Sequence, residues 1–304
     1  MTLRKVFWYR GRLRAGWRIA IFLTITGASL AGVLSLFLRL KLPSGVQQLV
    51  IYFILFIGVL LCSSLMAKYF DHRPSGTIGY RFYRRWWRDY LLGVVIGWAL
   101  VTLLFAAEGL LGYLEVQWLG FSSSLLVQVF GFSLIYFVVQ SAFEEVLFRG
   151  YLFQTLIEGT NVLAAVVIFS AVFGLLHMMN PHALWLGGVN TIVAGLMFCL
   201  AYLRNRGLWL ASGLHFGWNY FLGSIYGLPV SGISNFSLLS VKVEGPTFIT
   251  GGEYGPEGGI IGLVLFVVGT LYIALSRRIT IPPEMKDYDA SQKKSPPPDS
   301  ERLS

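Results

Sequence analysis

Two adjacent carboxylates and one arginine lie inside an otherwise apolar stretch, SAFEEVLFRGYLFQTL (141–156). Ionisable side chains are costly inside a membrane, and those that occur there usually have a function. Glu145 and Arg149 are four residues apart, so on a helix they share one face and can pair. Glu144 points about 100° away, because a helix turns once every 3.6 residues. Arg149 can therefore neutralise one carboxylate and leave the other free. The alternative is an ion pair that ties helices together, with Glu144 near headgroup water.

Two further groups of polar residues lie in separate apolar runs. In FSAVFGLLHMMNP, His177 follows Phe173 by four residues, and in GLHFGWNY, His215 and Asn219 are also four residues apart. A helix places the members of each pair on one face. Taken alone, His177 can be a hydrogen-bonded packing residue. The pair of His215 and Asn219 can likewise be a hydrogen-bonded clamp between helices.

The depth of these residues in a membrane indicates whether they can meet. Glu144 lies 22 residues after Ser122, or roughly 33 Å along a helix, which puts it in the cytoplasmic half of the bilayer. His215 lies about ten residues beyond the basic turn at 204–206, roughly 15 Å into the membrane. Glu144 and His177 are almost equally far from the turn between their helices, so an antiparallel pair holds them level. If that pair projects into the cytoplasm, we expect a carboxylate, two imidazoles and an amide to converge in one cavity that opens toward the cytoplasmic half.

The composition indicates an integral membrane protein. Of the 304 residues, 55% are hydrophobic and 13% are charged, and the mean hydropathy is +0.65. Soluble domains are about a quarter charged, so a chain this apolar has too little polar surface to face water. The net charge of +9 is confined to the gaps between apolar runs, which argues against a nucleic-acid partner. Cys62 and Cys199 both lie within apolar runs, and we expect no disulfide.

Eight apolar runs approach the length of about 20 residues that a membrane-spanning helix needs. Their continuous apolar character, without the alternation typical of strands, predicts an all-α polytopic membrane protein with about eight transmembrane helices. The runs are 17–38, 46–67, 90–111, 122–148, 162–178, 184–203, 208–227 and 258–276.

The distribution of basic residues predicts the orientation of the chain. Segments rich in arginine and lysine are 1–18, 68–89, 204–206 and 277–304. The connections with an excess of glutamate are 112–121 and 228–257, in which Lys242 is the one basic residue. Eight spans with both termini in the cytoplasm place every strongly basic segment inside. We therefore expect a multi-pass protein of the cell membrane, with Arg39 and Lys41 in a short outer loop as the exception.

We divide the chain into a basic cytoplasmic segment, three N-terminal spanning helices, a four-helix core, an external loop, a last spanning helix and a cytoplasmic tail. The composition of the tail predicts disorder. The Gly-rich stretch TGGEYGPEGG (250–259) lacks the GK[ST] ending of a phosphate-binding loop, so we interpret it as a turn. The boundaries, in order, are 1–16, 17–111, 122–227, 228–257, 258–276 and 277–304.

At its polar residues the sequence resembles the CPBP (Abi) family of intramembrane proteases, which includes the type II CAAX prenyl endopeptidases. Each of the three matching patterns is short, but all three occur in order on separate apolar helices and form a fairly specific signal. The resemblance covers about 122–227, roughly a third of the chain. The EExxxR, FxxxH and HxxxN/D motifs of the family are matched by Glu144, Glu145 and Arg149, by Phe173 and His177, and by His215 and Asn219.

The resemblance implies peptide hydrolysis within the membrane. Glu144 would be the general base that activates water, and His177 would help to hold that water. His215 and Asn219 would donate hydrogen bonds to the oxyanion of the tetrahedral intermediate, where each donor can contribute a few kcal/mol. The supporting residues would be Glu145, Arg149 and Phe173.

The use of a metal stays open on sequence grounds. Two histidines and a glutamate suit zinc, and the ligands would then be Glu144, His177 and His215. The zinc-protease motif HExxH is absent from the sequence, and the resemblance favours glutamate-activated water without a metal. We therefore expect no required cofactor, with zinc as the alternative.

The residues and the resemblance together predict an intramembrane endopeptidase for a membrane-associated, prenylated or other peptide substrate. Its partners would be the lipid bilayer and a peptide or protein substrate, without nucleic acid. One alternative is a non-catalytic membrane protein, such as a bacteriocin-immunity or scaffold protein, and another is a proton-coupled carrier that uses Glu144 as a relay. The substrate stays open, and so does the oligomeric state, because the small-residue stripes GVVIG (93–97) and GLHFG (213–217) suit packing within or between chains.

Overall fold

The computed structural model describes residues 6–9, 12–40 and 42–286. These residues form nine main helices and two short antiparallel sheets. The helices are α1 (Ala15–Phe37), α2 (Ser44–Tyr69), α3 (Trp86–Leu110), α4 (Leu134–Arg149), α5 (Tyr151–Gly159), α6 (Val162–His177), α7 (Trp185–Asn205), α8 (Leu208–Tyr220) and α9 (Ile260–Leu275). The sheets pair β1 (Trp8–Tyr9) with β2 (Arg12–Leu13) and β3 (Leu114–Trp118) with β4 (Leu239–Val243). Residues 1–5, 10–11, Lys41 and most of the predicted tail, from residue 287 onward, lie outside the described residues.

The all-α membrane fold predicted from the sequence is confirmed, with helices at all eight predicted positions. Among the described residues, five helices are long and apolar enough to cross a membrane. α6 and α9 have 16 residues each and α8 has 13, so they rise about 24 Å or less, short of the roughly 30 Å hydrocarbon core. The five candidates are Ala15–Phe37, Gly45–Tyr69, Trp86–Leu110, Ser123–Gly159 and Trp185–Asn205.

The helical path through the fourth span is less regular than the sequence predicts. It begins as a turn of α-helix at Ser123–Leu126, passes through a π-helix at Val127–Ser133 and continues as α4. α4 ends where Gly150 leaves the helical conformation, with φ −78° and ψ −126°. A Cβ atom on Gly150 would lie 2.2 Å from the Val146 carbonyl oxygen, so this break requires glycine.

The helix α5 was not predicted, and its middle lies near the start of α8. The Leu208 N–H at the beginning of α8 donates to the Gly79 carbonyl oxygen at 3.0 Å. The neighbouring Ile78 carbonyl oxygen accepts from Gln154, on α5, at 3.2 Å. The two helices are therefore joined through the same short segment of the 68–89 connection.

A buried charge network joins α1, the end of α2 and α5. Arg18 is 4% exposed and Asp71 is 1% exposed, and their side chains form an ion pair. A second nitrogen of Arg18 lies 3.0 Å from one oxygen of Glu158, and Arg73 pairs with the other oxygen. Because an uncompensated buried charge is strongly destabilising, this pairing permits Arg18 to be enclosed by protein.

The small-residue stripes at 93–97 and 213–217 pack against each other within the chain. α3 and α8 approach so closely that a Cβ atom on Gly213 would lie 2.0 Å from the Tyr90 carbonyl oxygen. Larger side chains at these positions would separate the two backbones, as they do in other closely packed membrane helices. The stripes therefore hold α8 in place inside one molecule.

The connection predicted as an external loop (228–257) folds back into the helical bundle. Its strand β4 pairs with β3, and the chain then turns inward. The side-chain amide of Asn190 on α7 donates to the carbonyl oxygens of Glu257 and Gly259, both at 2.8 Å. Buried non-helical backbone needs such protein partners for its polar groups. We refer to residues 228–259 as the re-entrant segment, because it folds back into the bundle of helices.

The connections separate into two sets at opposite ends of the bundle. At one end, α8 begins beside the 68–89 connection, and Arg204 donates to the Ser276 carbonyl oxygen at 2.6 Å. At the other end, the 112–121 connection and the re-entrant segment pair through β3 and β4. The basic connections therefore share one end and the connections rich in glutamate share the other.

Candidate active site

A cavity of about 330 Å³ lies between six of the helices and the re-entrant segment. Its walls come from α2, α4, α6, α7, α8 and α9. The structure brings together, in this one cavity, residues that the sequence carries on three separate apolar helices. Those that line it are Glu144, Phe173, His177, His215 and Asn219.

Glu145 forms the pair with Arg149 that helical spacing predicts, and it also binds a histidine. Glu145 Oε1 lies 3.2 Å from Arg149 Nη1, and both side chains are fully buried. The same oxygen lies 2.9 Å from His215 Nδ1. A carboxylate beside a guanidinium accepts hydrogen bonds, so His215 Nδ1 carries a proton and Nε2 is directed elsewhere. Glu145 thus orients the imidazole as well as neutralising Arg149.

Arg149 is held by a backbone carbonyl and by aromatic rings. Its Nη2 donates to the Gly195 carbonyl oxygen at 3.1 Å. The guanidinium carbon lies 4.7 Å from the ring centre of Phe173 and 5.2 Å from that of Phe198, within the range of cation–π attraction. Phe198 also stacks on the His215 ring at 4.7 Å. The aromatic residue of the FxxxH motif therefore packs behind the ion pair and the histidine.

Glu144 lies at the cavity wall with its two oxygens in different surroundings. Its side chain is 12% exposed. Oε1 accepts a hydrogen bond from Gln140 Nε2. Oε2 lies 3.8 Å from His215 Nε2 and, within the described residues, has no hydrogen-bond partner. A buried carboxylate oxygen without a partner is costly, and a water or a catalytic role is the usual explanation for one.

His177 is fixed by its own helix. Its Nδ1 lies 2.8 Å from the Phe173 carbonyl oxygen one turn earlier, and the two rings are 4.5 Å apart. A carbonyl oxygen can only accept, so Nδ1 is the protonated nitrogen. In the neutral side chain, Nε2 is left as a hydrogen-bond acceptor at the cavity. The spacing of FxxxH therefore determines the tautomer of the histidine as well as its face.

Asn219 is connected to Glu144 through a residue that sequence analysis did not select. Asn219 is 5% exposed, and its Nδ2 donates to Gln140 Oε1 at 3.1 Å. Gln140 thereby touches both side chains. Its position four residues before Glu144, in a run otherwise apolar, was the available signal. The contact with Asn219, 79 residues further along the chain, could not be predicted from spacing.

A second carboxylate, Glu257, also lines the cavity and was missed. It is 6% exposed. Its Oε1 accepts from Trp218 Nε1 at 2.7 Å, and its Oε2 accepts from the backbone N–H and the hydroxyl of Ser231, both at 2.6 Å. Glu257 therefore ties the re-entrant segment to α8. No local pattern predicts this, because the sequence around Glu257 reads as a surface turn.

The cavity extends to the connection that the sequence predicts as an external loop. Part of its wall is formed by Val230, Ser231, Ile233 and Asn235 of the re-entrant segment, which enters the bundle from the end with the glutamate-rich connections. An opening toward the cytoplasmic half of the membrane stays a prediction.

The residues predicted as zinc ligands share the cavity without forming a ligand set. Within the described residues, no group of three His, Cys, Asp or Glu side chains is placed to hold a metal ion. Nδ1 of His177, Nδ1 of His215 and Oε1 of Glu144 are each engaged by a protein group, so Nε2 of each histidine and Oε2 of Glu144 are the atoms left at the cavity.

Comparison with known proteins confirms the resemblance at the level of the family. Residues 126–221, about a third of the chain, match the family described as type II CAAX prenyl endopeptidase Rce1-like. This segment contains all three motifs.

A curated relative, uncharacterized protein YyaK of Bacillus subtilis (strain 168), is 25% identical over 190 residues. The alignment covers 59% of this chain and 62% of YyaK, so the chain spans less than two thirds of that relative. No solved structure matches significantly.

Proposed function

We propose that this membrane-embedded protein is an endopeptidase that hydrolyses a peptide bond with water activated by Glu144. The observation that best supports this is the asymmetry of the Glu144 carboxylate. One oxygen is anchored by Gln140, whereas the other has no hydrogen-bond partner among the described residues and lies beside His215. A carboxylate that is held through one oxygen, and whose other oxygen has no protein hydrogen-bond donor, is suited to accept a proton from water at the cavity wall.

Hydrolysis would then proceed by general acid–base catalysis. Glu144 takes a proton from water as the water oxygen attacks the carbonyl carbon of the scissile peptide. His177 Nε2 accepts the second hydrogen of the water and so orients it. When the tetrahedral intermediate collapses, Glu144 returns the proton to the leaving amine nitrogen.

The oxyanion of the intermediate would be stabilised by Asn219 and His215. Asn219 Nδ2 uses one hydrogen for Gln140 and keeps the other for the oxyanion. His215 donates from Nε2 when both of its nitrogens are protonated. In that state the two positive charges of His215 and Arg149 balance the two negative charges of Glu144 and Glu145, which lowers the cost of burying these four groups together. Such preorganised donors can contribute about 2.7–4 kcal/mol each to the transition state.

The lining of the cavity suggests which substrate segment it accepts. Most of the lining side chains are aromatic or aliphatic, and two are carboxylates, Glu144 and Glu257. Among the described residues, no lysine or arginine lines the cavity. A free C-terminal carboxylate would find no lysine or arginine there and would be repelled by both glutamates, and the proposed charge on His215 is already balanced by Glu144 and Glu145. We therefore expect the bound segment to be apolar and without a free carboxylate, whether the substrate is a prenylated peptide, a peptide leader or a membrane-protein segment.

The direct test is cleavage of a peptide library by the purified full chain in lipid vesicles, with products identified by mass spectrometry. The library should contain each apolar peptide as the C-terminal acid and as the amide. We expect cleavage by the wild type, preference for the amides, and no cleavage by Glu144→Gln. Equal product from both proteins would overturn the proposed function.

Chelating agents are expected to leave this hydrolysis intact. The protein groups described above would supply the base, the water ligand and the oxyanion donors, and among the described residues no three His, Cys, Asp or Glu side chains are placed to hold a metal ion. Rates before and after dialysis against a chelator, with metal content measured in parallel, test this. One tightly held zinc per chain that is lost together with activity would contradict the metal-free mechanism.

We propose an orientation with both termini in the cytoplasm, because the basic connections share one end of the bundle. Reporter fusions at residues 118 and 245 should then read external and a fusion at residue 78 should read internal. A cytoplasmic signal at residue 245 would invert this assignment. It would also place the re-entrant segment on the cytoplasmic side.

A further inference from the structure

Gln140 lies one turn before Glu144 on α4 and connects two of the proposed catalytic groups. Its Nε2 donates to Glu144 Oε1, and its Oε1 accepts from Asn219 Nδ2 at 3.1 Å. The side chain is 7% exposed and lines the cavity. Both ends of a single amide are therefore used, one on each neighbour.

We propose that Gln140 is a positioning residue that fixes the proposed base and the proposed oxyanion donor relative to each other. This inference rests on the proposed function. Gln140 is the residue that hydrogen-bonds Glu144 within the described part of the chain, since Glu144 Oε2 lacks such a partner. The rotamer of the base therefore depends on this amide.

Gln140 also decides which side of the Asn219 amide faces the substrate. Gln140 Oε1 can only accept, so it selects the orientation in which Asn219 Nδ2 points toward Gln140. The second hydrogen of that nitrogen is then available to an oxyanion. If the amide rotated by half a turn, its oxygen would take the place of the nitrogen and repel the oxyanion. Gln140 therefore fixes the orientation of both the Glu144 carboxylate and the Asn219 amide.

Replacement by methionine tests this role, because methionine has a similar length and volume but cannot make either hydrogen bond. We expect Gln140→Met to lower kcat about 10- to 100-fold with KM nearly unchanged, since misplacement of a catalytic group by about 1 Å can cost 10²-fold in rate. Gln154→Met is the matched control. Gln154, on α5, donates to the carbonyl oxygen of Ile78 in the 68–89 connection and does not line the cavity. The kcat of the Gln154→Met variant should stay near the wild-type value.

A double-mutant cycle with Asn219→Ala separates positioning from a general structural effect. If Gln140 acts partly through Asn219, the loss of kcat in the double variant should be smaller than the product of the two single losses. Thermal unfolding in detergent should give Gln140→Met a midpoint close to that of Gln154→Met. Fully multiplicative losses, an unchanged kcat, or a fall in kcat matched by a lower midpoint would each overturn the positioning role.

The failure of this inference can be distinguished from failure of the proposed function. If the wild type cleaves no more than Glu144→Gln, the proposed function is wrong. The contact itself can then still be examined in the infrared difference spectrum between wild type and Glu144→Gln, which isolates the Glu144 carboxylate band. We expect this band to shift in Gln140→Met, because a donor to the carboxylate is removed. An unshifted band would show that Gln140 does not hold Glu144.

Discussion

Replacing Glu144 by glutamine is expected to abolish hydrolysis while leaving the protein folded. Glutamine has the shape of glutamate, and its amide oxygen can still accept the hydrogen bond from Gln140. It cannot take a proton from water. General acid–base catalysis by a positioned side chain contributes roughly 10²- to 10⁴-fold, and here the same group also produces the nucleophile. We therefore expect a loss of at least about 10³-fold in kcat, near the upper part of that range.

The measurement is single-turnover cleavage of the best library peptide, together with thermal unfolding of the same preparations. Glu253→Gln is a matched control, because Glu253 makes an exposed contact with His182 and does not line the cavity. We expect the control to retain wild-type activity. If Glu144→Gln cleaves at a rate close to the wild-type rate, Glu144 is not the base and the charges at 144–149 serve the architecture. The non-catalytic scaffold would then be the better interpretation.

Replacing Glu145 by alanine is expected to destabilise the fold rather than to affect chemistry alone. Arg149 would keep its positive charge with no exposed surface, and His215 Nδ1 would lose its acceptor. Removal of one partner from a buried pair typically costs about 3–5 kcal/mol, because the other charge is left uncompensated. The folded yield of Glu145→Ala should fall accordingly, and its unfolding midpoint should fall with it.

Two further variants identify the cause of this loss. Glu145→Ala combined with Arg149→Met removes both charges, and part of the folded yield should return. The return should be incomplete, because Arg149 also bonds the Gly195 carbonyl oxygen and packs on aromatic rings. Glu145→Gln keeps an acceptor for the histidine and should lose less than Glu145→Ala. If Glu145→Ala unfolds at the wild-type midpoint, the pair does not support the fold.

The sequence determined where the helices lie along the chain and which helix faces carry the residues of the site. Continuous apolar runs predicted helices at the eight positions where the structure has them, since hydrophobic length is dictated by bilayer thickness. Spacing of four residues predicted the pair of Glu145 and Arg149, because helical geometry is local. The same spacing of four residues places His177 Nδ1 beside the carbonyl oxygen of Phe173. These statements need only contacts within one helix.

The sequence was less informative where a helix is interrupted or a loop is buried. The break at Gly150, the π-helix at Val127–Ser133 and the extra helix α5 leave the mean hydropathy of the run unchanged, so the apolar pattern does not report them. The re-entrant segment was predicted as an external loop because its composition is that of a surface connection. Its glycines, prolines and glutamates suit a surface turn, and they are tolerated in the bundle because Asn190 and other protein groups satisfy the backbone.

Only the tertiary structure decided how the functional groups are connected. His215 meets Glu145 across 70 residues and Asn219 meets Gln140 across 79 residues. Such contacts depend on the rotation and depth of each helix, which are set by packing such as the close approach of α3 and α8 at Gly213. The sequence determined which groups could take part, because residue type and helical periodicity are local properties. The partner of each group was decided by the fold, because a hydrogen bond between helices requires both to be placed to within a fraction of an ångström.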